Sequence, residues 1–296
     1  MLWLPLALTA MFMLVARRST EKRLTGPLSA GSMAWLQQLV AMPFMIALLP
    51  AAHFYLPGEL SATFYIVTIF YVLAQSVDII MYFKAIEVGD ISVVAPLLAL
   101  TAASSLVGSY FVLGQVPTPA GVAGSLLIMA GAYLTSRRPN GHPSTATNNR
   151  LAIILALIIV ALRGVYSASE VIPLRLTNPV YFNFVTSLIG IPTIMAAIYL
   201  RGRHTGRPLI SAQLIKSAAR HRAGLVIIGL TYTLNLTATF SAKLLSPNAA
   251  YVTAVRGAQV LPIVLIGATF FHERVIRRQW VGVGLILVGM ACFFAA

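Results

Sequence analysis

Apolar stretches of about 20 residues recur from one end of this chain to the other, the length a helix needs to cross a hydrocarbon core. Ten can be read, at about 2–16, 31–50, 62–84, 91–113, 119–136, 151–172, 180–200, 223–244, 249–271 and 279–295. Backbone polar groups in lipid are satisfied only in helices or closed barrels, and runs this continuous are helices. Of the 296 residues, 58% are hydrophobic and 9% charged, against roughly 25% charged in a soluble domain. The expected fold class is an all-α polytopic membrane protein with no soluble domain left over.

The net charge of +14 would point to nucleic acid in a soluble protein. Here the basic residues fall in the connections, where they set topology and meet anionic lipid, so no nucleic-acid partner is expected. Seventeen of the 21 Lys and Arg lie on one side, in connections such as "RRSTEKR" and "RGRHTGRPLISAQLIKSAARHR". Arg175 and Lys243 lie on the other, and Arg163 and Arg256 fall within spans. The positive-inside rule makes the richer side cytoplasmic and both termini external. The N-terminus has its positive charge after "MLWLPLALTAMFMLVA", the reverse of a signal peptide, and reads as a first span. In the longest basic connection Leu214, Ile215 and Ala218 have helical spacing, so a short interfacial helix is expected there. One cysteine, Cys292, excludes a disulfide framework and a Cys-based metal site.

Segment 92–131 aligns without gaps on 250–289 at an offset of 158. Val94 meets Val252, Gly124 meets Gly282, Ile128 meets Ile286, Gly131 meets Gly289, and Gln115 meets Glu273. Five spans per half would insert the second half upside down, and corresponding loops exchange charge as that requires: "GQVPTP" has no basic residue where "HERVIRRQ" has three arginines. The expectation is ten transmembrane helices as two inverted five-helix repeats, 1–136 and 151–296, joined by a polar linker at 137–150. Such repeats are common in secondary transporters, with a substrate site near the midplane.

The closing stretch "FFHERVIRRQWVGVGLILVGMACFF", with Glu273 and Arg274, resembles the end of each half of EamA-type transporters of the drug/metabolite transporter superfamily. The first half carries a decayed copy, with Gln115 and Val116 at those places. The resemblance implies the inverted ten-helix fold and transport, often export, of amino acids or related compounds. The best-understood members place both termini in the cytoplasm, and here the charge count points the other way.

Ionisable groups inside spans cost about 2.5–3.5 kcal/mol or more each on insertion scales, so they face the bundle interior or water. Arg163 lies mid-span, with Tyr166, Ser167 and Glu170 on the same helical face. It is either an anion-binding residue or half of a structural ion pair. Glu170 is either a proton-coupling site or a solvated rim residue. Asp78, flanked by Gln75 and Tyr82, is a proton or amine site or the partner of a cation such as Arg163. Tyr232, Asn235 and Thr239 share a face of span eight, and Arg256 and Gln259 lie three apart in span nine. Both sets are candidate cavity lining, with interhelical hydrogen bonding and snorkelling as the alternatives. Pro96, Pro192 and Pro262 are candidate kinks. The recurring glycines are packing faces, between halves or between the protomers of a homodimer, and Glu273 with Arg274 is read as structural.

No enzyme or nucleotide motif appears, the five histidines are too scattered for a metal site, and no cofactor is implied. The functional expectation is a secondary transporter in the bacterial plasma membrane. It would move small polar or amphoteric metabolites by alternating access, with Asp78, Arg163, Tyr166, Tyr232, Asn235, Arg256 and Gln259 at the substrate and Asp78 or Glu170 carrying protons. A lipid-linked flippase or a non-transporting scaffold is the alternative.

Overall fold

The computed structural model describes residues 2–24, 30–53, 60–88, 94, 97–136, 149–203, 212–262 and 277–294. The regular elements among them are helices: α1 (Trp3–Leu24), α2 (Ala30–His53), α3 (Ala62–Val88), α4 (Thr101–Leu113), α5 (Pro119–Ser136), α6 (Asn149–Ser169), α7 (Val171–Leu176), α8 (Pro179–Arg203), α9 (Ala212–Arg220), α10 (Arg222–Leu245), α11 (Ala249–Gly257) and α12 (Arg277–Cys292). Five segments are long and apolar enough to cross a bilayer: Ser32–Pro50, Ala62–Tyr82, Arg150–Leu176, Pro179–Leu200 and Arg222–Leu245. The chain is a multi-pass membrane protein. Most of the linker at 137–150, together with Glu273, Arg274 and Pro96, lies outside the described residues.

Helix α3 shows how sequence sets orientation. Tyr65, Ile66, Ile69, Leu73 and Val77 are exposed and form one apolar stripe, which in a membrane faces lipid. Phe64, Thr68, Tyr71 and Asp78 occupy the opposite face and are buried. The same partition puts Leu157 and Val165 of α6 outside and Ala156 and Ile159 inside.

Four expectations are corrected. First, α1 does not stop at residue 16: "RRSTEKR" is helical, and α1 measures about 33 Å at 1.5 Å per residue. No glycine or proline interrupts this stretch, and Arg17 pairs with Glu21 one turn on, at 3.3 Å. Second, the sixth span breaks at Glu170, where α6 gives way to α7. Pro173 lacks the N–H that would bond the Ser169 carbonyl, and its ring crowds that carbonyl. Third, spans four and nine are not continuous: a turn at 99–100 precedes α4, and another at 258–259 follows α11. Pro262 accounts for the second, because it cannot donate to the Ala258 carbonyl. Pro192, by contrast, sits inside α8, which continues through it. Fourth, Lys243 is not in a connection; it lies inside α10, 2% exposed. The predicted interfacial helix is α9. Its Leu214 and Ala218 pack on the core beside Leu225, while Ile215 points outward.

Helix α6 packs between α3 and α4, α10 lies against α1 and α2, and α5 pairs with α12. Lipid gives helices no hydrophobic reason to associate, so close backbone approach matters. A Cβ on Gly124 or Gly289 would come within 2.7 Å of the other's carbonyl oxygen. Gly131 and Gly282 meet in the same way, at 2.5 and 2.7 Å. Both glycine faces are therefore used within the chain, between α5 and α12, and a homodimer would need a different face.

Helix α4 ends on Gly114 in the left-handed region (φ 65), and the turn that follows crosses to α11. Gln115 accepts from the Ala249 backbone N–H at 3.0 Å, and Asn248 caps Ala250 at 2.9 Å. Tyr251 Oη accepts from the Thr118 backbone N–H at 2.8 Å. The decayed copy of the motif is thus put to use: Gln115 satisfies a free donor at the start of α11. Val116 is exposed.

Replacing Gly131 or Gly282 with valine should force α5 and α12 apart. Overpacking of this kind costs about 1–3 kcal/mol. The expected result is a lower melting temperature of the purified protein for either variant, while Gly284→Val, where a Cβ meets nothing within 4 Å, leaves it close to the parent's.

Candidate functional site

Five charged side chains from α3, α6, α10 and α11 converge inside the bundle. Arg163 of α6 grips Asp78 of α3 side-on, with Nε 3.0 Å from Oδ1 and Nη2 3.1 Å from Oδ2. The two parallel bonds form the strong, directional fork that guanidinium and carboxylate favour. Tyr166, one turn along α6, donates to Asp78 Oδ2 at 3.2 Å. The Tyr82 ring lies 6.0 Å from the Arg163 guanidinium carbon. Asp78 is 4% exposed. Of the two readings open to Arg163 in the sequence, the structure shows the ion pair.

One turn farther along α6 a second pair forms. Glu170 is not a solvated rim residue: it is 4% exposed and in direct contact with Lys243 of α10. The Lys243 ammonium has three donors, and all three are used, on Glu170 Oε1, the Ser167 carbonyl at 2.8 Å and Ser167 Oγ at 2.9 Å. Glu170, between α6 and α7, keeps helical backbone angles and is hydrogen-bonded to Tyr166 and Leu174, so its carboxylate and the Ser167 carbonyl lie on the same face toward α10. Sequence reading missed Lys243, yet its register was informative, since it continues the stripe Tyr232, Asn235, Thr239 at helical spacing.

Helix α11 meets α6 through Ser167 and Thr253, whose hydroxyls are 3.2 Å apart. Arg256 lies one turn below Thr253, and Arg163 one turn below Ser167. Arg256 Nη2 reaches Asn235 Oδ1 at 3.5 Å, and Asn235 is anchored by its amide to the Ala10 carbonyl of α1 at 2.5 Å. Arg256 Nε and Gln259 Oε1 are buried and have no hydrogen-bond partner. Tyr232 is buried beneath Arg17, whose guanidinium carbon is 5.1 Å from the ring centroid, a cation–π arrangement. Arg256 is in electrostatic contact with Glu170, Arg17, Tyr71 and Tyr166. The structure therefore joins Asp78, Arg163 and Tyr166 in one cluster, Glu170, Lys243 and Ser167 in a second, and Asn235 and Arg256 in a third, with Tyr232 set apart under Arg17. Glu273 and Arg274 lie outside the described residues.

A buried carboxylate that loses its cation is costly: breaking such a pair from one side costs about 3–5 kcal/mol. Lys243→Met should therefore destabilise the protein strongly. The double variant Lys243→Met/Glu170→Gln should recover much of that loss, because no charge is left unpaired. A double-mutant cycle of unfolding free energies reads the difference, and additive losses would contradict the pairing.

Comparison with known proteins adds to this geometry. Among solved structures, 29 chains are similar to this one. One of them, titled only "Crystal structure of protein", aligns over 98% of this chain and 95% of its own with a TM-score of 0.66 at 15% identity, which shows a shared fold. No curated protein matches the chain. The model of the EamA-like transporter family matches residues 1–137. That match falls on the half with the decayed motif, not on the half that carries Glu273 and Arg274. The family is one of membrane transporters of small molecules, within the drug/metabolite transporter superfamily. Residues 1–137 of this chain are thus similar to the EamA-like transporter family.

Proposed function

We propose that the protein is a secondary transporter of the bacterial plasma membrane that exports small polar metabolites by alternating access between two inverted five-helix halves. The observation that carries the proposal is the interior meeting of α6 and α11 at Ser167 and Thr253, beside the buried pairs Arg163–Asp78 and Lys243–Glu170. Polar groups this deep in a membrane bundle are expensive unless they serve a pathway.

Several contacts support the inverted arrangement. At the offset of 158, Gly124 corresponds to Gly282 and Gly131 to Gly289. The contacts Gly124–Gly289 and Gly131–Gly282 are then images of each other under a two-fold axis. The turns at 99–100 and 258–259 fall at nearly the same offset. Packing of α10 on α1 is matched by packing of α3 on α6. Interrupted helices near the middle of a bundle are a recurring way to expose backbone groups to a substrate.

The amphoteric reading is refined by the pairing. Asp78 and Glu170 are each held by a cation, so an incoming ammonium would have to displace Arg163 or Lys243. Coupling to protons has the same two carboxylates available. The external termini rest on the basic bias, which becomes steeper now that Lys243 lies inside α10 and Arg175 alone remains on the poorer side.

Counterflow in proteoliposomes with a panel of labelled organic acids and amino acids tests the function. The parent should exchange at least one class, and Arg163→Ala, if it folds, should exchange it at least about tenfold more slowly, the equivalent of one lost charged hydrogen bond. Undiminished exchange by a folded Arg163→Ala removes that residue from the pathway. An alkaline phosphatase fusion after residue 296 should be active if the C-terminus is external, and inactive if it is cytoplasmic.

A further inference from the structure

We infer that Arg256 and Gln259 seat the carboxylate end of the substrate, so that the molecules carried are small organic anions with a hydrogen-bond donor beside the carboxylate. The inference rests on the transporter reading and names its substrate class.

It begins with charge. Among the described residues three acids occur within the helices with side chains in place, and each has a cation: Glu21 has Arg17, Asp78 has Arg163, and Glu170 has Lys243. Arg256 makes no ion pair with any of them. The acid that acts on it electrostatically, Glu170, is already in contact with Lys243. Among the described residues two cations therefore share one carboxylate, and one positive charge is left over. The C-terminal dipole of α11 offsets part of it, but it gives Nε no acceptor.

Geometry supplies the second line. Arg163 shows how a guanidinium in this bundle holds a carboxylate: through the edge formed by Nε and Nη2. On Arg256, Nε is buried and has no hydrogen-bond partner among the described residues, while Nη2 is steadied by Asn235 at 3.5 Å. A substrate carboxylate on that edge would do for Arg256 what Asp78 does for Arg163. Three residues on, at the turn that ends α11, the Gln259 side-chain oxygen is also buried and unpartnered. It is an acceptor, so it calls for an O–H or N–H donor. A carboxylate with a hydroxyl or amide N–H on the adjacent carbon satisfies both orphan atoms at once. A free ammonium gains only Gln259, because the acids that would complement its charge are taken. Small hydroxy acids and N-acylated amino acids therefore fit better than amines, and zwitterions fall between them.

The test is a thermal-shift titration of the purified full-length protein with L-lactate, N-acetyl-L-alanine, L-alanine and L-alaninamide. The two anions should raise the melting temperature at the lowest concentrations, L-alanine at higher ones, and L-alaninamide not at all. Arg256→Gln should abolish the response to anions while the unliganded protein melts at the same temperature or higher, because an uncompensated interior charge has been removed. Gln259→Leu should weaken the response to lactate by about tenfold and is the second variant should Arg256→Gln fail to fold. The inference is overturned if neither anion gives a response, if alaninamide is preferred, if the folded Arg256→Gln variant or the Gln259→Leu variant responds to anions like the parent, or if Arg256→Gln melts lower, which marks a structural arginine. Counterflow separates the two readings. Exchange of amines unaffected by Arg256→Gln keeps the transporter and discards the anion seat. Anion binding with no exchange of any solute does the opposite.

Discussion

A charge inside a bilayer must be answered inside the protein, and helix α6 meets that requirement twice. Arg163 ties it to α3 through Asp78, and Glu170 ties it to α10 through Lys243. The two pairs stand two turns apart on one face of the span that α6 and α7 form together, so that span is fixed laterally between neighbours that approach it from different directions. Its remaining face meets α4 through small residues. Ser104 Oγ donates to the Val160 carbonyl at 2.6 Å, and a Cβ on Gly164 would meet Ser104 backbone at 2.6 Å. Gly164 directly follows Arg163. The residue that lets α4 come close is next to the one that reaches away to α3, so the helix cannot rotate to improve one contact without losing the other.

Much of this order was legible in the chain. Hydrophobic length gave the class, and the spacing of Arg163, Tyr166 and Glu170 on one face anticipated that they would act together, because a helix places residues three, four and seven apart on one side. What the sequence could not show was which partner each would find. Asp78 and Arg163 are 85 positions apart, and apolar segments carry no register that would select one pairing over another. Lys243 was lost for a different reason. Hydropathy reading ends a span where charge begins, so a lysine near a span end is assigned to the connection; here the charge is inside because its acid is inside. The same bias shortened α1 at Arg17. In both places the helical stripe, followed past the charge, leads to the structure: Tyr232, Asn235, Thr239 and Lys243 in α10, and Ala10, Leu14, Arg17 and Glu21 in α1.

The helix interruptions were hidden for a related reason. An apolar run containing one proline reads as a continuous span, since prolines are tolerated in membrane helices. Whether one bends or breaks the helix depends on the carbonyl four residues back finding other company. Beside Pro262, the Ala258 carbonyl accepts instead from the Leu261 N–H at 2.9 Å, which tightens the turn. Pro192 meets no such rearrangement, and α8 runs on through it.

On the proposed inverted-repeat reading, the features that correspond between the halves and those that do not separate along functional lines. At an offset of 158 the paired glycines and the helix interruptions correspond, and these set how the helices stack and where they break. The interior charges do not correspond. At that offset Asp78 faces Leu236, Arg163 faces Pro5, Lys243 faces Ala85, Glu170 faces Phe12 and Arg256 faces Leu98. A packing contact that works in one half works in the other, since the geometry is the same, so there is little cost in keeping both copies. Duplicating the charges would instead double the number of ions to be neutralised in a medium where each is expensive. A symmetric set would also leave the two faces of the interior alike in potential. On the proposed reading the charges on α3, α6, α10 and α11 make them different, and an anion seated as inferred above would meet a positive side at Arg256 and a neutralised one at Arg163. Directional chemistry would then depend on residues the proposed repeat does not share, carried on a scaffold built from residues it does.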